Sequence, residues 1–290
     1  WNVRFFDIPY LVNRISRLYD EKMAQRMSPL RSLNRREIRQ WNRTQDAYEL
    51  AGLATLDYLE LYRKFTYTQQ ESYRLDHIAH VEIGEKKLDY SEVGTLHELY
   101  RTDYQKFIDY NIKDVELVER IDEKMKLIDT ALAIAYDAKV NYADVFTQVR
   151  LWDGLIHNYL LDKKVVIPPK KTSFKAQAYA GAYVKEPQVG GHNWVMSFDL
   201  NSLYPHLIMQ YNISPDTFVE GEYVQTDMDD MIGGIVPDFP KDKVLAANGH
   251  LFRKDKQGFL PEMMQTMYNE RSLYKKEMIA AQKELETIKD

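Results

Sequence analysis

The chain has 290 residues, 44% of them apolar, with a formal net charge of −5 and no cysteine. This length suits two domains and the apolar fraction suits packed cores; the acidic balance excludes a generally basic nucleic-acid coat but not a local positive groove. Without cysteine there is no disulfide framework, thiolate zinc centre, iron–sulfur cluster or cysteine nucleophile, so metal chemistry must use carboxylates, which favour hard cations such as Mg²⁺.

No apolar run is long enough to span a bilayer, and the opening WNVRFFDIPYLV lacks the basic start and small-residue exit of a signal peptide. A cytoplasmic location with no membrane partner is therefore expected. The chain starts on Trp, and its last stretch, EMIAAQKELETIKD, still reads as helix. Both ends are expected to be cuts in a longer sequence.

In chain order, residues 36–54 suggest a polar-tipped hairpin, although no glycine marks its apex. LATLDYLELYRKFT (53–66) has the mixed three and four spacing of a helix. Residues 107–136 predict one long helix, with Ile108, Ile112, Val115, Val118, Ile121, Met125 and Ile128 as its buried stripe. From 164 to 193 the composition turns to proline pairs, lysines and small residues, which marks a domain boundary. WVMSFDL then reads as a buried strand ending at Asp199, and SLYPHLIMQYN as a helix with Pro205 in its first turn. Residues 227–243 predict a solvated acidic loop without chemistry, and a last uninterrupted helix starts after Pro261.

A carboxylate at the end of a central strand is rigidly held and can offer oxygens to a divalent cation, with the Leu200 carbonyl beside it as a second hard ligand. An aspartate in that place can equally cap the following helix. Tyr110 and Asp114, four apart on a helix, project from one face, where a phenol can orient a water beside a metal-bound carboxylate. Arg271 and Lys275 share the same spacing and can reach one phosphate-bearing ligand, or can simply be a solvated face.

The word SFDLNSLYPHLI resembles motif A of the family B DNA polymerases, D-x-x-S-L-Y-P, and the flanking NISPDT resembles the replicative polymerases of large tailed phages. NVRFFD matches the family's second exonuclease motif, N-x-x-x-F-D, at Asn2, Phe6 and Asp7. YNIKD matches the third, Y-x-x-x-D, at Tyr110 and Asp114. AYAGAYV is similar to the Y-x-G-G word at Tyr179 and Gly181, with Ala182 in place of the second glycine. Two further departures are Asn201, where the phage group usually has Thr, and His206, where a small residue is common; both bear on nucleotide fit.

This resemblance implies an α+β, mixed fold: the remainder of an RNase H-like 3′-to-5′ exonuclease domain (1–127), a connecting segment returning to the N-terminal domain (128–170), the first part of a palm sheet (171–257) and the first fingers helix (258–290). It implies a DNA-directed DNA polymerase with proofreading and two-metal nucleotidyl transfer, using Mg²⁺ or Mn²⁺ in its place. Asp199 and the Leu200 carbonyl would bind metal in the palm, with the Ser202 and Leu203 amides facing the triphosphate and Tyr204 packing under the sugar. Arg271 and Lys275 would grip the triphosphate, Tyr179 and Gly181 would handle DNA, and Asp7, Asp114 and Tyr110 would form part of the exonuclease site. The implied partners are primer-template DNA, dNTP and the segments carrying motifs B, C and the first exonuclease motif, with a sliding clamp reached only through other regions. The chain alone is expected to be inactive, and the location becomes an infected host's cytoplasm.

Two rival readings predict different neighbours. A stand-alone DEDD-type exonuclease needs a D-x-E upstream and no palm continuation. A non-catalytic DNA-binding or assembly module would use Lys163, Lys164, Lys170, Lys171 and Lys175, and would bind DNA with strong salt dependence.

Overall fold

The computed structural model describes residues 1–40, 43–169 and 184–289, and the chain divides into two units, Trp1–Ala178 and Tyr179–Asp290. In the first unit a π-helical turn, Val3–Asp7, runs into α1 (Ile8–Leu18), where Pro9 occupies the first turn at no hydrogen-bonding cost. Asp20 caps α2 (Glu21–Gln25) by accepting from the Met23 N–H. The expected hairpin is present as β1 (Leu33–Gln40) and β2 (Arg43–Leu50), antiparallel with Leu33 opposite Leu50. Ile8, Val12 and Ala24 form a small core with Leu33, Tyr48 and Leu50.

The expected helix at 53–66 is shorter, α3 (Tyr58–Phe65), because the Asp57 carboxylate caps it at Leu59. It is followed by α4 (Leu75–Ile83), which stops at Gly84 in the left-handed conformation, and by α5 (Leu96–Thr102), capped by Thr95.

The single helix expected over 107–136 is in fact two, α6 (Tyr104–Met125) and α7 (Leu127–Ala138). Lys126 breaks it in the left-handed region (φ 54°), where Asp122 accepts a bond from the Ile128 N–H. The expected stripe is also corrected. Leu117 and Ile121 are buried, but Ile112, Val115 and Ile128 are exposed. The inward face of α6 runs through Tyr110, Asp114, Leu117 and Ile121 at steps of four, three and four, so apolar counting skipped two of its polar members. Beyond α7, α8 (Gln148–Asp162) completes the unit, whose main core joins Leu61, Tyr62, Ile78, Leu117, Ile121, Ala131 and Ala135.

Two phenols in this core donate to carboxylates, Tyr58 to Asp122 at 3.0 Å and Tyr62 to Glu82 at 2.7 Å. Burial first, and the carboxylates second, push both above the free-tyrosine value. Their contribution to stability is complete below about pH 10 and drains away as the unfolded chain ionises above it, by ~1.4 kcal/mol per pH unit for each phenol. The Tyr58→Phe, Tyr62→Phe double variant is therefore expected to lose stability less steeply between pH 10 and 11, measured by urea unfolding. An unchanged slope would contradict the assignment.

In the second unit, α9 (Leu203–Gln210) packs on the long α11 (Phe259–Lys289). Between them lie β3 (Phe218–Tyr223), α10 (Met228–Ile232), β4 (Lys243–Leu245) and β5 (His250–Arg253), with sheet order β3-β5-β4, all antiparallel. Pro261 lies in the first turn of α11, which is unbroken as expected. The acidic stretch expected as loop holds α10, because Asp227 caps it by accepting from the Asp229 and Asp230 N–H groups.

The buried strand expected at 194–200 is not formed. These residues are irregular and exposed, Phe198 by 87%. A strand that is apolar on both faces needs a ladder on its edges and a layer on each side, and the described residues supply neither.

Candidate functional sites

In the first unit, the opening segment is held by one carboxylate. Asp57, 1% exposed, accepts from the Asn2 N–H at 2.9 Å, the Arg4 N–H at 3.0 Å and the Leu59 N–H at 3.0 Å. The Arg4 guanidinium pairs with Glu60 at 2.9 Å. This tether allows Asn2 its left-handed conformation (φ 63°) and fixes the turn leading to Phe6 and Asp7. Asp7 occupies the cap position of α1 but makes no capping bond, and its side chain is exposed.

Tyr110 and Asp114 do come together. The Lys87 ammonium donates to Tyr110 Oη at 3.1 Å and to Asp114 Oδ2 at 2.7 Å, and it lies 5.2 Å from the Tyr110 ring centroid. Burial alone would lower the lysine's pKa, but the bonds to Asp114 and Tyr110 outweigh it and raise the value. Asp114 Oδ1 is buried and receives no hydrogen bond. A carboxylate with one oxygen left unsatisfied suits a hard cation as one ligand. Among the described residues, however, no three or more His, Asp or Glu side chains form a group that could hold a metal.

In the second unit, Asp199 and Leu200 lie in the exposed irregular stretch. Asp199 does not cap the following helix: the cap position belongs to Ser202, in the left-handed region (φ 54°) and without a side-chain capping bond. The N–H groups of the first turn of α9, starting at Leu203, thus have no intrahelical partner. Tyr204 is 70% exposed. One turn on, the His206 ring meets the Tyr268 ring edge-on at 4.7 Å, and its Nδ1 lies 2.9 Å from the Ser202 carbonyl. Arg271 and Lys275 are exposed on α11, three and seven residues after Tyr268, and so share the side of the helix turned to α9. The His206–Tyr268 contact thus joins the first turn of α9 to the side of α11 that carries the basic pair. Tyr179, Gly181, Lys170, Lys171 and Lys175 lie outside the described residues.

Sequence reasoning missed Asp57, Lys87 and the structural part played by Asn212. Asp57 stands before an apolar-periodic helix and was legible as a cap; its bonds to Asn2 and Arg4, over fifty residues away, were not. Lys87 sits in an irregular stretch with no pattern to mark it.

Among the described residues no helix is long and apolar enough to cross a membrane. Residues 145–290 match the model of DNA polymerase family B, and residues 1–78 match its exonuclease domain. The DNA-directed DNA polymerase of Escherichia phage RB69 is 39% identical over 291 residues, covering 100% of this chain and 32% of that protein. That of Enterobacteria phage T4 is 35% identical over 289 residues, with the same coverages of 100% and 32%. The chain thus spans about a third of the length of these relatives. A solved family B DNA polymerase from the hyperthermophilic archaeon Pyrobaculum calidifontis aligns with a TM-score of 0.57 over 96% of this chain and 34% of its own, at 22% identity, which speaks for the fold alone. With the polymerase model matched over half of the sequence and the exonuclease model over its beginning, the chain belongs to DNA polymerase family B.

Proposed function

We propose that this chain is a working segment of a longer replicative DNA polymerase, with template-directed nucleotidyl transfer centred on its second unit and 3′-to-5′ proofreading on its first. The observation that carries the reading is the packing of the motif A helix α9 on α11 through His206 and Tyr268, which puts the Ser202–Tyr204 turn and the Arg271–Lys275 pair on one side of α11. In this reading residues 1–127 belong to the exonuclease domain, 128–170 connect back to the N-terminal domain, 171–257 begin the palm and 258–290 are the first fingers helix.

Each residue then has a defined task. Asp199 and the Leu200 carbonyl hold Mg²⁺ in the palm, and Asp7 and Asp114 do so in the exonuclease site. Mg²⁺ held there would supply charge neutralisation for phosphoryl transfer. The Ser202 and Leu203 amides and the cations of Arg271 and Lys275 hold the triphosphate, and Tyr204 packs under the sugar and disfavours a 2′-hydroxyl. Tyr110 orients the attacking water, while the Lys87 ammonium holds the Asp114 carboxylate in place. Mn²⁺ can replace Mg²⁺, primer-template DNA and dNTP are the substrates, and the host cytoplasm is the place of action.

Activity requires ligands from segments carrying motifs B, C and the first exonuclease motif, on the same chain or another. The test is primer extension by this chain alone and assembled with those segments. We expect no incorporation by the chain alone, template-directed incorporation by the assembly, and complete loss on chelation with EDTA. An assembly that binds primer-template yet extends no primer, or extends it in EDTA, overturns the proposal.

A further inference from the structure

The helix α9 ends in a left-handed cap. Asn212 has φ 51°, its N–H reaches the Met209 carbonyl at 3.4 Å, and the Ile213 N–H reaches the Ile208 carbonyl at 3.0 Å. These two bonds are the Schellman pair, which places Asn212 at the position where glycine or asparagine is preferred. Its side chain does a second job. Asn212 Nδ2 donates to the Arg253 carbonyl at 2.7 Å and the Lys256 carbonyl at 2.8 Å, and Oδ1 accepts from the Gly258 N–H at 2.9 Å. Gly258 is the residue from which α11 departs, since its carbonyl accepts from the Glu262 N–H.

A polar knot surrounds this contact. Thr217 Oγ1 donates to the Asn212 carbonyl at 2.6 Å, and Ser214 Oγ donates to Asp216 Oδ1 at 2.5 Å. Asp216 Oδ1 also accepts from the Phe259 N–H at 3.4 Å, and Ser214 Oγ from the Leu260 N–H at 3.4 Å. Ser214 and Thr217 are buried, and a Cβ on Gly258 would meet Ser214 Cβ at 2.5 Å. The segment NISPDT therefore ties the end of α9 to the start of α11, and among the described residues Asn212 is the one side chain with bonds both to the strand β5 that precedes α11 and to the residue from which α11 departs.

We infer that Asn212 is a positioning residue that sets the direction of α11, and through it where Arg271 and Lys275 stand relative to the Asp199–Tyr204 segment. The inference rests on the nucleotide-binding reading proposed above. The lever is long: at 1.5 Å rise per residue Arg271 lies about 18 Å along α11 from Phe259, so a tilt of roughly 10° at the origin displaces it by ~3 Å. Misplacements of about 1 Å in a positioning group can cost ~10²-fold.

The decisive variant is Asn212→Gly, which keeps the left-handed backbone accessible and deletes only the side-chain bonds. In the assembled polymerase it is expected to raise KM for dNTP by ~10-fold or more, with kcat within about twofold of wild type. The same substitution on an Arg271→Ala background is expected to raise KM by a clearly smaller factor, because one of the two cations through which it acts is gone. In the present chain, hydrogen exchange at the Gly258 amide is expected to accelerate. Gly258→Ala, which presses on the same knot from the other side, should reproduce the KM effect and guards against a folding defect peculiar to position 212. A KM equal to wild type in Asn212→Gly, or a rise that persists in full without Arg271, overturns the inference. An Asp199→Asn control separates the levels: if it is inactive and Asn212→Gly behaves as wild type, only this inference fails, whereas an active Asp199→Asn enzyme removes the reading beneath it.

Discussion

Replacing Asp199 with asparagine in the assembled polymerase is expected to lower template-directed incorporation by ~10³-fold or more. A carboxylate that anchors a catalytic cation supports several kcal/mol of transition-state charge stabilisation, and each 1.36 kcal/mol is worth about a factor of ten. Asparagine keeps the shape and one oxygen but loses the charge. The fold should be indifferent to the change, because Asp199 is exposed and caps nothing, and surface substitutions of this kind stay within about 0.5 kcal/mol. Exonuclease activity, assigned to the other unit, should persist. Single-turnover extension together with degradation of a mismatched primer measures both in one preparation. Near-normal extension by the variant would end the assignment of Asp199 as an anchor.

The largest expected effect on stability belongs to Asp57→Ala. The substitution removes the cap of α3 and leaves the Asn2 and Arg4 amides without their acceptor. A lost cap costs about 1 kcal/mol and each stranded, partly buried amide about 1–3 kcal/mol, so the sum is roughly 3–7 kcal/mol. Asp57→Asn should fall between this and wild type, since its oxygen can serve one side while its NH₂ group faces a backbone N–H on the other. Urea unfolding of the chain measures the loss. A functional consequence accompanies it: with the tether cut, the turn carrying Asp7 loosens, and proofreading should fall while incorporation is spared. A change below about 1 kcal/mol would show that water satisfies the freed amides, and that Asp57 is an ordinary cap.

The two units differ in how well their pattern predicted them. In the first, local rules worked where the neighbours agreed with them. The hairpin at β1 and β2, the helix α3 and the burial of Ile121 on α6 agree with the local pattern. They failed at Lys126, a good helix former that nevertheless takes a left-handed conformation, because Asp122 and the packing of α7 reward the break. They failed again along α6, where Tyr110 and Asp114 turn inward to meet Lys87 while Ile112 and Val115 face water. Polar contacts overrode apolar counting there.

Residue identity, order and spacing in the sequence were enough for the resemblance to the polymerase family to be read, since D-L-N-S-L-Y-P, N-x-x-x-F-D and Y-x-x-x-D occur together in the family's order, whatever the rest of the chain packs against. The long closing helix was likewise legible, because a run of helix formers after Pro261 needs no partner to be recognised. Only the tertiary structure decided which polar atoms bind across long gaps: Asp57 to the opening amides, Lys87 to Asp114, and Asn212 to Gly258. It also decided that the stretch before Asp199 is not a strand. The reason is common to all four cases. A hydrogen bond between residues tens of positions apart, or a ladder on a strand's edge, depends on which segment folds alongside, and nothing in the local pattern carries that information.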